Sequence, residues 1–220
     1  DLLTHDINNL NSSAKAYLEL LLGREGLDQR TLRYATSSHA LMGDIGRLVE
    51  NVRKLHRAED RSLHRHIIDV NALINDVVAT HLNDPSGKVQ ITVRPGKQAP
   101  VFGNALLRDV FDNLIENAVK HSGGEVQIEV IIGRFMTEGK EFVRVAVTDT
   151  GPGISDEVKK TLFNRMQRGH TAASGRGLGL YLAKTVLEMC DGRIWVDDRF
   201  SDDPGRGARF VVLIPAADEQ

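Results

Sequence analysis

The sequence predicts an α+β architecture in two parts: an antiparallel helical hairpin over residues 1–60, then an α/β sandwich of helices on a mixed sheet over residues 61–220. Two observations predict the division. Up to about residue 58 the apolar residues recur at three, four and seven positions, as they do along helix faces. From residue 64 the texture changes to short β-branched runs alternating with helical segments. A third observation, the composition, lets both parts fold: 41% of the 220 residues are hydrophobic and 26% are charged, enough for one large or two modest cores and too apolar for a disordered chain.

In residues 2–22, Leu3, Ile7, Leu10, Ala14, Tyr17 and Leu21 alternate spacings of four and three, which predicts a helix with a narrow apolar seam. Gly23 and Gly26 in "GREG" stop it, and Asp28 caps a second helix that runs to about residue 58. So short a turn makes the two helices antiparallel. Along the second helix Ala35, Met42 and Val49 are spaced by seven, as are Ser38, Ile45 and Val52, and Leu41, Leu48 and Leu55 form a third row. One partner helix cannot cover that much apolar surface. The hairpin is therefore expected to dimerise into a four-helix bundle, the competing reading being that this face packs on the rest of the same chain.

The boundary falls near 58–64, in the charged stretch "RAEDRSLHR". Beyond it "HIIDV" predicts a strand, Asn71 an N-cap, "ALINDVVATHL" a helix and "KVQITV" a strand ended by "RPG". "ALLRDVFDNLIENAVKH" predicts a helix, and "VQIEVIIGRF" and "FVRVAVTD" predict strands around the turn "MTEGKE". "GLGLYLAKTVLEMC" is a helix, with "RIWVDD" and "ARFVVLIP" as closing strands.

Charge and cysteine content narrow the function classes. A formal net charge of -2 removes the broad electrostatic case for nucleic-acid or anionic-membrane binding. The single cysteine, Cys190, lies in the apolar run "KTVLEMCDG", so there is no disulfide framework and no cysteine metal site. It reads as a buried inert thiol. No stretch approaches the ~18 apolar residues of a membrane span, and no secretory signal pattern opens the chain. The abrupt start, already inside an apolar repeat at Leu2 and Leu3, predicts a cytoplasmic fragment of a longer chain, with membrane attachment only through a segment upstream of residue 1.

Three segments of the second part carry ligand chemistry. "NLIENAVKH" sets Asn113 and Asn117 four apart on one helix face, followed by Lys120 and His121. An amide oxygen suits Mg²⁺, although asparagines on a helix are commonly surface residues. "VTDTGPGIS" puts Asp149, Gly151 and Gly153 after a strand. There a carboxylate can accept from an exocyclic amine and glycines allow close approach of a flat ring, and the same residues also make a plain turn. "SGRGLGLYLAKTVLE" places Gly175, Gly177 and Gly179 at a helix N-terminus, an anion cradle whose spacing differs from the P-loop and dinucleotide fingerprints. Between the last two lies "LFNRMQRGHTAAS", a lid-like stretch whose Arg165 and Arg168 read equally as phosphate partners and as solvent-exposed charges.

Taken in order, "NLIENAVKH", "DTGPG", "LFNRMQR", "GRGLGL" and the closing "GRGARFVVLIP" resemble the ATP-binding domain of sensor histidine kinases, within the wider gyrase, Hsp90, histidine kinase and MutL superfamily. The resemblance covers about residues 64–215, and the hairpin at 2–58 is similar to that family's dimerisation and phosphotransfer domain. It implies ATP and Mg²⁺ as cofactors, with Asn117 as the metal ligand, Asn113 beside it, and Lys120 and His121 near the phosphates. It implies further that Asp149 binds the adenine amine and that Gly151 and Gly153 shape the base pocket. Arg165 and Arg168 would act from the lid, and Gly175, Gly177, Leu178 and Gly179 would border the phosphates. Two departures touch this pattern. Met166 stands where the family's lid often has phenylalanine, and Arg176 stands where the glycine box often has threonine or a small residue.

The same resemblance gives the first helix its chemistry. His5 lies two residues, about 200°, from Leu3, which turns it away from the seam, and Asn9 follows one turn on. The family's phosphoacceptor is a histidine followed by an acid, with Asn or Thr four after the histidine, and "HDINN" fits with His5, Asp6 and Asn9. The family's proline a few residues later is missing, which implies a straighter helix. His39 and His56 lack an adjoining acid, and His64, His66 and His81 lie outside the matching region.

The implied function is autophosphorylation of His5 by ATP, with Asp6 fixing the tautomer, and transfer to an aspartate on the receiver domain of a separate response regulator by a homodimer. Asn9, placed to orient a water, adds regulator dephosphorylation. Three alternatives compete: a kinase-like scaffold that binds nucleotide without phosphorylating itself, a gyrase- or chaperone-type ATPase, and a serine kinase of the same superfamily. Asn113, where the ATPases normally carry glutamate, disfavours the second, and the third leaves His5 and Asp6 unexplained.

Overall fold

The computed structural model describes residues 2–59, 65–82, 88–164, 178–200 and 205–217. Helix α1 spans Leu2–Leu22 and α2 spans Gln29–Glu59, joined by a turn in which Gly26 takes φ +83°. Asp28 caps α2 as expected: its Oδ1 accepts the N–H groups of Arg30 and Thr31, both at 2.9 Å. The cap holds the Asp28 carboxyl below its ordinary value, mainly through the Thr31 hydroxyl.

The helices run antiparallel, with Asn11 opposite Met42 and Glu19 opposite His39. On α2 the inner face follows the first predicted row and most of the second: Ala35 and Val49 are buried and Ser38, Met42 and Ile45 half-buried, whereas Val52 is exposed. On α1 the inner face is rotated from the predicted seam. Asn11, Ala14, Leu18 and Leu21 turn inward, whereas Leu10 and Tyr17 are 72% and 73% exposed. The cause is geometric. Two neighbouring stripes of a helix differ by one residue, or about 100°, and the apolar pattern marks the outer stripe while the helix contact uses the one beside it. Leu20 and Leu41 add to the exposed apolar line, and α2 also touches α6, so the same chain covers part of its surface.

The second part begins with strand β1 (His66–Asp69), which pairs antiparallel with β3 (Pro100–Gly103) in a two-stranded ribbon. The sequence reading does not mark β3, because "PVFG" is too short to show alternation. Helix α3 (Val70–His81) starts one residue before the expected cap. Asp69 is the N-cap, accepting the Asn71 N–H at 3.0 Å, while the Asn71 amide holds Gly96 by bonds of 3.1 and 3.2 Å.

The main sheet has the order β2-β4-β5-β7-β6: β2 (Val89–Arg94) is parallel to β4 (Val126–Thr137), and β5 (Lys140–Asp149), β7 (Ala208–Pro215) and β6 (Arg193–Asp198) pair antiparallel. The β4–β5 turn is tighter than the predicted "MTEGKE". Only Glu138 and Gly139 lie outside the ladder, with φ 53° and 73°, the two-residue turn whose twist matches that of the strands. Helices α3, α4 (Leu107–His121) and α6 (Leu178–Met189) cover one face, and Ile74, Phe111, Leu114, Leu182 and Leu187 pack on Ile128, Val130, Val145 and Val212. A one-turn helix, α5 (Asp156–Lys159), follows the glycine-rich loop and was not expected.

Cys190 is buried at the end of α6, and burial pushes its thiol up, as an inert thiol requires. Among the described residues no helix is long and apolar enough to cross a membrane.

Candidate nucleotide site

The site forms where the C-terminal ends of α4 and β5 meet the N-terminal end of α6. Asp149 closes β5 and is buried, 7% exposed. Its Oδ1 accepts two backbone N–H groups, from Gly151 at 2.8 Å and from Ala208 at 3.2 Å. Both bonds go to Oδ1, and Oδ2 accepts no hydrogen bond from the described residues. Burial raises the Asp149 pKa above the usual carboxylate value, against the opposing pull of the two N–H groups, Arg199 and His121.

The chain around Asp149 is held from the start of the neighbouring strand β7 and from the end of β6. Gly207 donates its N–H to the Gly151 carbonyl at 2.7 Å, and Arg199 reaches the Asp149 carbonyl at 3.5 Å. Gly207 has φ +81°, and a Cβ there would lie 2.2 Å from the Asp149 carbonyl oxygen, so no other residue fits. The sequence reading missed these clamps. Their signal is the Gly-Arg-Gly run just before the last strand, read there only as part of a closing element.

Gly151 lies close to the end of α4: a Cβ on it would stand 3.7 Å from Ser122 Cα and 3.8 Å from the His121 carbonyl oxygen. Gly153 takes φ +76° two residues on. His121 has a lowered pKa, first through desolvation and then through the Lys120 ammonium, with Asp149 acting in the opposite sense. Imidazole and carboxylate therefore sit within electrostatic reach of one another. Lys120 and His121 occupy the last turn of α4, where positive charge is also favoured by the helix dipole.

One turn back, the two asparagines differ. Asn113 donates Nδ2 to the Asp109 carbonyl at 2.8 Å, and its Oδ1 faces Gly179. It serves as the seat for the start of α6. Asn117 is half-buried on the same side of the helix, and its amide makes no side-chain hydrogen bond among the described residues. An uncommitted hard oxygen beside anion-binding elements fits one position on Mg²⁺, the remaining positions going to phosphates and water.

The loop after Gly153 is anchored by Lys159, whose Nζ lies 2.7 and 2.8 Å from the two carboxylate oxygens of Asp198 on β6 and 2.9 Å from Asp156. Arg165, Arg168, Gly175 and Gly177 lie outside the described residues, as does the side chain of Leu178. His5 has its backbone in α1, but its side chain is outside the described set, and Asp6 and Asn9 are exposed on that helix. A groove of about 370 Å³ lined by Lys88, Gln90, Glu125, Val126, Gln127 and Thr150 contains none of the expected site residues.

Residues 103–218 match the family described as histidine kinase-, DNA gyrase B-, and HSP90-like ATPase. The chain is 29% identical over 223 positions to the sensor protein kinase WalK of Staphylococcus epidermidis, an alignment covering 97% of this chain and 35% of that protein. Against a WalK of Staphylococcus aureus it is 25% identical over 223 positions, covering 97% of this chain and 52% of the relative. The chain thus spans about a third to a half of the length of these relatives.

Among solved structures, full-length ShkA in complex with AMPPNP aligns with a TM-score of 0.70 at 21% identity, over 99% of this chain and 45% of that one. The mycobacterial sensor histidine kinase MprB aligns with a TM-score of 0.59 at 22% identity, over 70% of this chain and 99% of that one. These structures share the fold. With the family match over more than half its length, the chain belongs to the histidine kinase-, DNA gyrase B- and HSP90-like ATPases, and its ATP-binding core is of the sensor histidine kinase type.

Proposed function

We propose that the chain is the kinase core of a two-component sensor, with residues 1–60 as a dimerisation and histidine-phosphotransfer domain and residues 61–220 as the catalytic ATP-binding domain of a cytoplasmic homodimer. The observation that carries the reading is the buried Asp149 carboxylate, pinned through Oδ1 by two backbone N–H groups beside the Asn113–Gly179 contact. One carboxylate oxygen is thereby presented to an adenine amine, while the α4 and α6 ends a few residues away supply amides and cations for the phosphates.

In this reading Asn117 holds Mg²⁺, which when bound neutralises phosphate charge and aligns the γ-phosphoryl group. Lys120 and the glycines Gly175, Gly177 and Gly179 would border the phosphates, and Arg165 and Arg168 would pair with phosphate charge from the lid-like stretch. A ring nitrogen of His5 attacks the γ-phosphorus. The N–P bond forms as the bond to the bridging oxygen breaks, and ADP leaves with that electron pair. Asp6 takes the hydrogen bond of the other ring nitrogen and offsets the positive charge that develops. The phosphoryl group then passes to an aspartate carboxylate on the receiver domain of a separate response regulator. Asn9 orients a water for the reverse task, regulator dephosphorylation.

The exposed apolar line of Leu10, Tyr17, Leu20 and Leu41 supports the dimer, since a lone hairpin leaves these side chains in water. The test is incubation with γ-labelled ATP and Mg²⁺. Label that is acid-labile, alkali-stable and lost in His5→Gln is expected. Label surviving that substitution rejects His5, and absence of label with intact ATP binding favours the nucleotide-binding scaffold instead.

A further inference from the structure

Asn11 is a polar side chain that the hairpin carries into its inner α1 stripe at mid-helix, with a bond across to α2. Its Nδ2 donates to the Met42 carbonyl at 3.0 Å. Its Oδ1 is buried and has no hydrogen-bond partner among the described residues. The space it occupies is made by Gly46, where a Cβ would stand 3.1 Å from Asn11 Nδ2. By α-helix geometry the Met42 carbonyl also accepts the Gly46 N–H, so the amide shares an acceptor with the α2 backbone at the place where α2 has no side chain.

This arrangement is costly. A buried carbonyl oxygen left unpaired loses its hydration without compensation, and glycine within a helix is destabilising relative to alanine. An apolar residue at position 11 with alanine at 46 would remove both. What the polar contact supplies is register. The inner stripes around it mix small side chains, Ala14, Ala35 and Ser38, with the flexible Met42 and with Leu18 and Ile45, and the small ones leave stretches of the seam where apolar packing alone does little to fix how far one helix slides along the other. An amide tied to a single carbonyl is satisfied in one register only, the best-attested use of a buried polar group between helices.

We propose that Asn11 is a positioning residue for phosphorylation: by holding α1 in one register against α2 it fixes the height and rotation at which His5 is presented. His5 lies six residues earlier on the same helix, about 9 Å along the axis, so any slip or rotation at Asn11 is transmitted to it. A slip of one turn would carry the imidazole about 5.4 Å out of line with the γ-phosphate. This rests on His5 being the phosphoacceptor.

The experiment compares the intact chain with Asn11→Leu and Gly46→Ala, two changes that favour helix and keep the fold. The readouts are the ¹³C-methyl NMR signal of Met42, the thermal midpoint, and kcat and KM for autophosphorylation with ATP and Mg²⁺. The intact chain is expected to show one sharp Met42 signal. Both variants are expected to show a split or broadened one, an unchanged or higher midpoint, KM for ATP unchanged, and kcat reduced about tenfold or more. A single sharp Met42 signal in the variants overturns the proposal, as does an unchanged kcat. A lower midpoint with one Met42 signal is the mark of a packing role and also overturns it. If the intact chain takes no label on His5, the kinase reading fails, and the Met42 spectrum still decides whether Asn11 sets the register.

Discussion

Gly179 rests directly against Asn113: a Cβ on the glycine would stand 2.7 Å from Asn113 Oδ1, closer than atoms can approach. Because Asn113 Nδ2 is tied to the Asp109 carbonyl at 2.8 Å, the amide cannot rotate away without losing that bond. Gly179→Ala should therefore push the start of α6 off α4 and weaken ATP binding by about 1–3 kcal/mol, roughly 5- to 150-fold in Kd. Calorimetric titration with a non-hydrolysable ATP analogue measures this. Adding Asn113→Ala, which opens the space, should recover part of the loss, and a double variant as weak as the single one would place the effect elsewhere.

Asp149 makes a prediction that separates stability from binding. Its folded pKa is raised by burial, so the protonated form favours folding. Its stabilising contribution is present at low pH and is lost as pH rises through the raised value, leaving a buried charge at neutral pH. Asp149→Asn keeps an oxygen for the Gly151 and Ala208 N–H groups and removes the charge. The variant should melt at or above the temperature of the parent at pH 7, and the advantage should shrink toward pH 4. Its other amide atom is then a donor facing the adenine amine, so analogue binding should be lost. Melting curves across pH with titrations at pH 7 test both halves, and a variant that binds normally removes Asp149 from the base pocket.

How much of this was legible in sequence depends on the range of the interaction. Asp28, Gly26 and the hairpin they define were readable because a cap and a turn act within three residues. β4 was readable because its residues alternate between buried and exposed, and β5 because its apolar, β-branched run is buried on both sides at its centre. Asp149 was found by its neighbours in sequence, but its clamp was not, since Gly207 and Ala208 reach it from about sixty residues away through a strand pairing that local patterns do not encode. Asn71 was mistaken for a cap because caps are recognised by residue type, and Asp69 has an equally suitable side chain two positions earlier. Asn11 was invisible for a different reason. Apolar spacing marks stripes by hydrophobicity, and the true contact stripe of α1 contains a polar residue.

Lys159 holds the loop after Gly153 to the sheet, with side-chain exposures of 15% for the lysine and 22% for Asp198. Such shielding makes the pair worth more than an exposed one, about 1–2 kcal/mol for a charged hydrogen bond with both carboxylate oxygens engaged. Lys159→Met should lower the thermal midpoint by several degrees and weaken analogue binding, while Lys159→Arg should retain most of both. If Lys159→Met binds the analogue as tightly as the parent, the anchor has no bearing on the site.

His121 reports on the phosphate side. Desolvation and the Lys120 ammonium hold its imidazole below the ordinary 6.5, and Asp149 opposes them. A base with a lowered folded pKa contributes stability that is present above its unfolded value and lost as pH falls through the folded one. Below pH 6.5 the fold must therefore admit a charge it disfavours. An NMR titration of the His121 ring should give a midpoint under 6.5 in the nucleotide-free protein. Removing the Lys120 charge with Lys120→Gln should raise it, and Asp149→Asn should lower it further. Saturation with an ATP analogue in Mg²⁺ brings phosphate charge to the end of α4 and should move the midpoint upward. A midpoint that ignores the analogue would take His121 out of the nucleotide site and leave Lys120 as the cation of that turn.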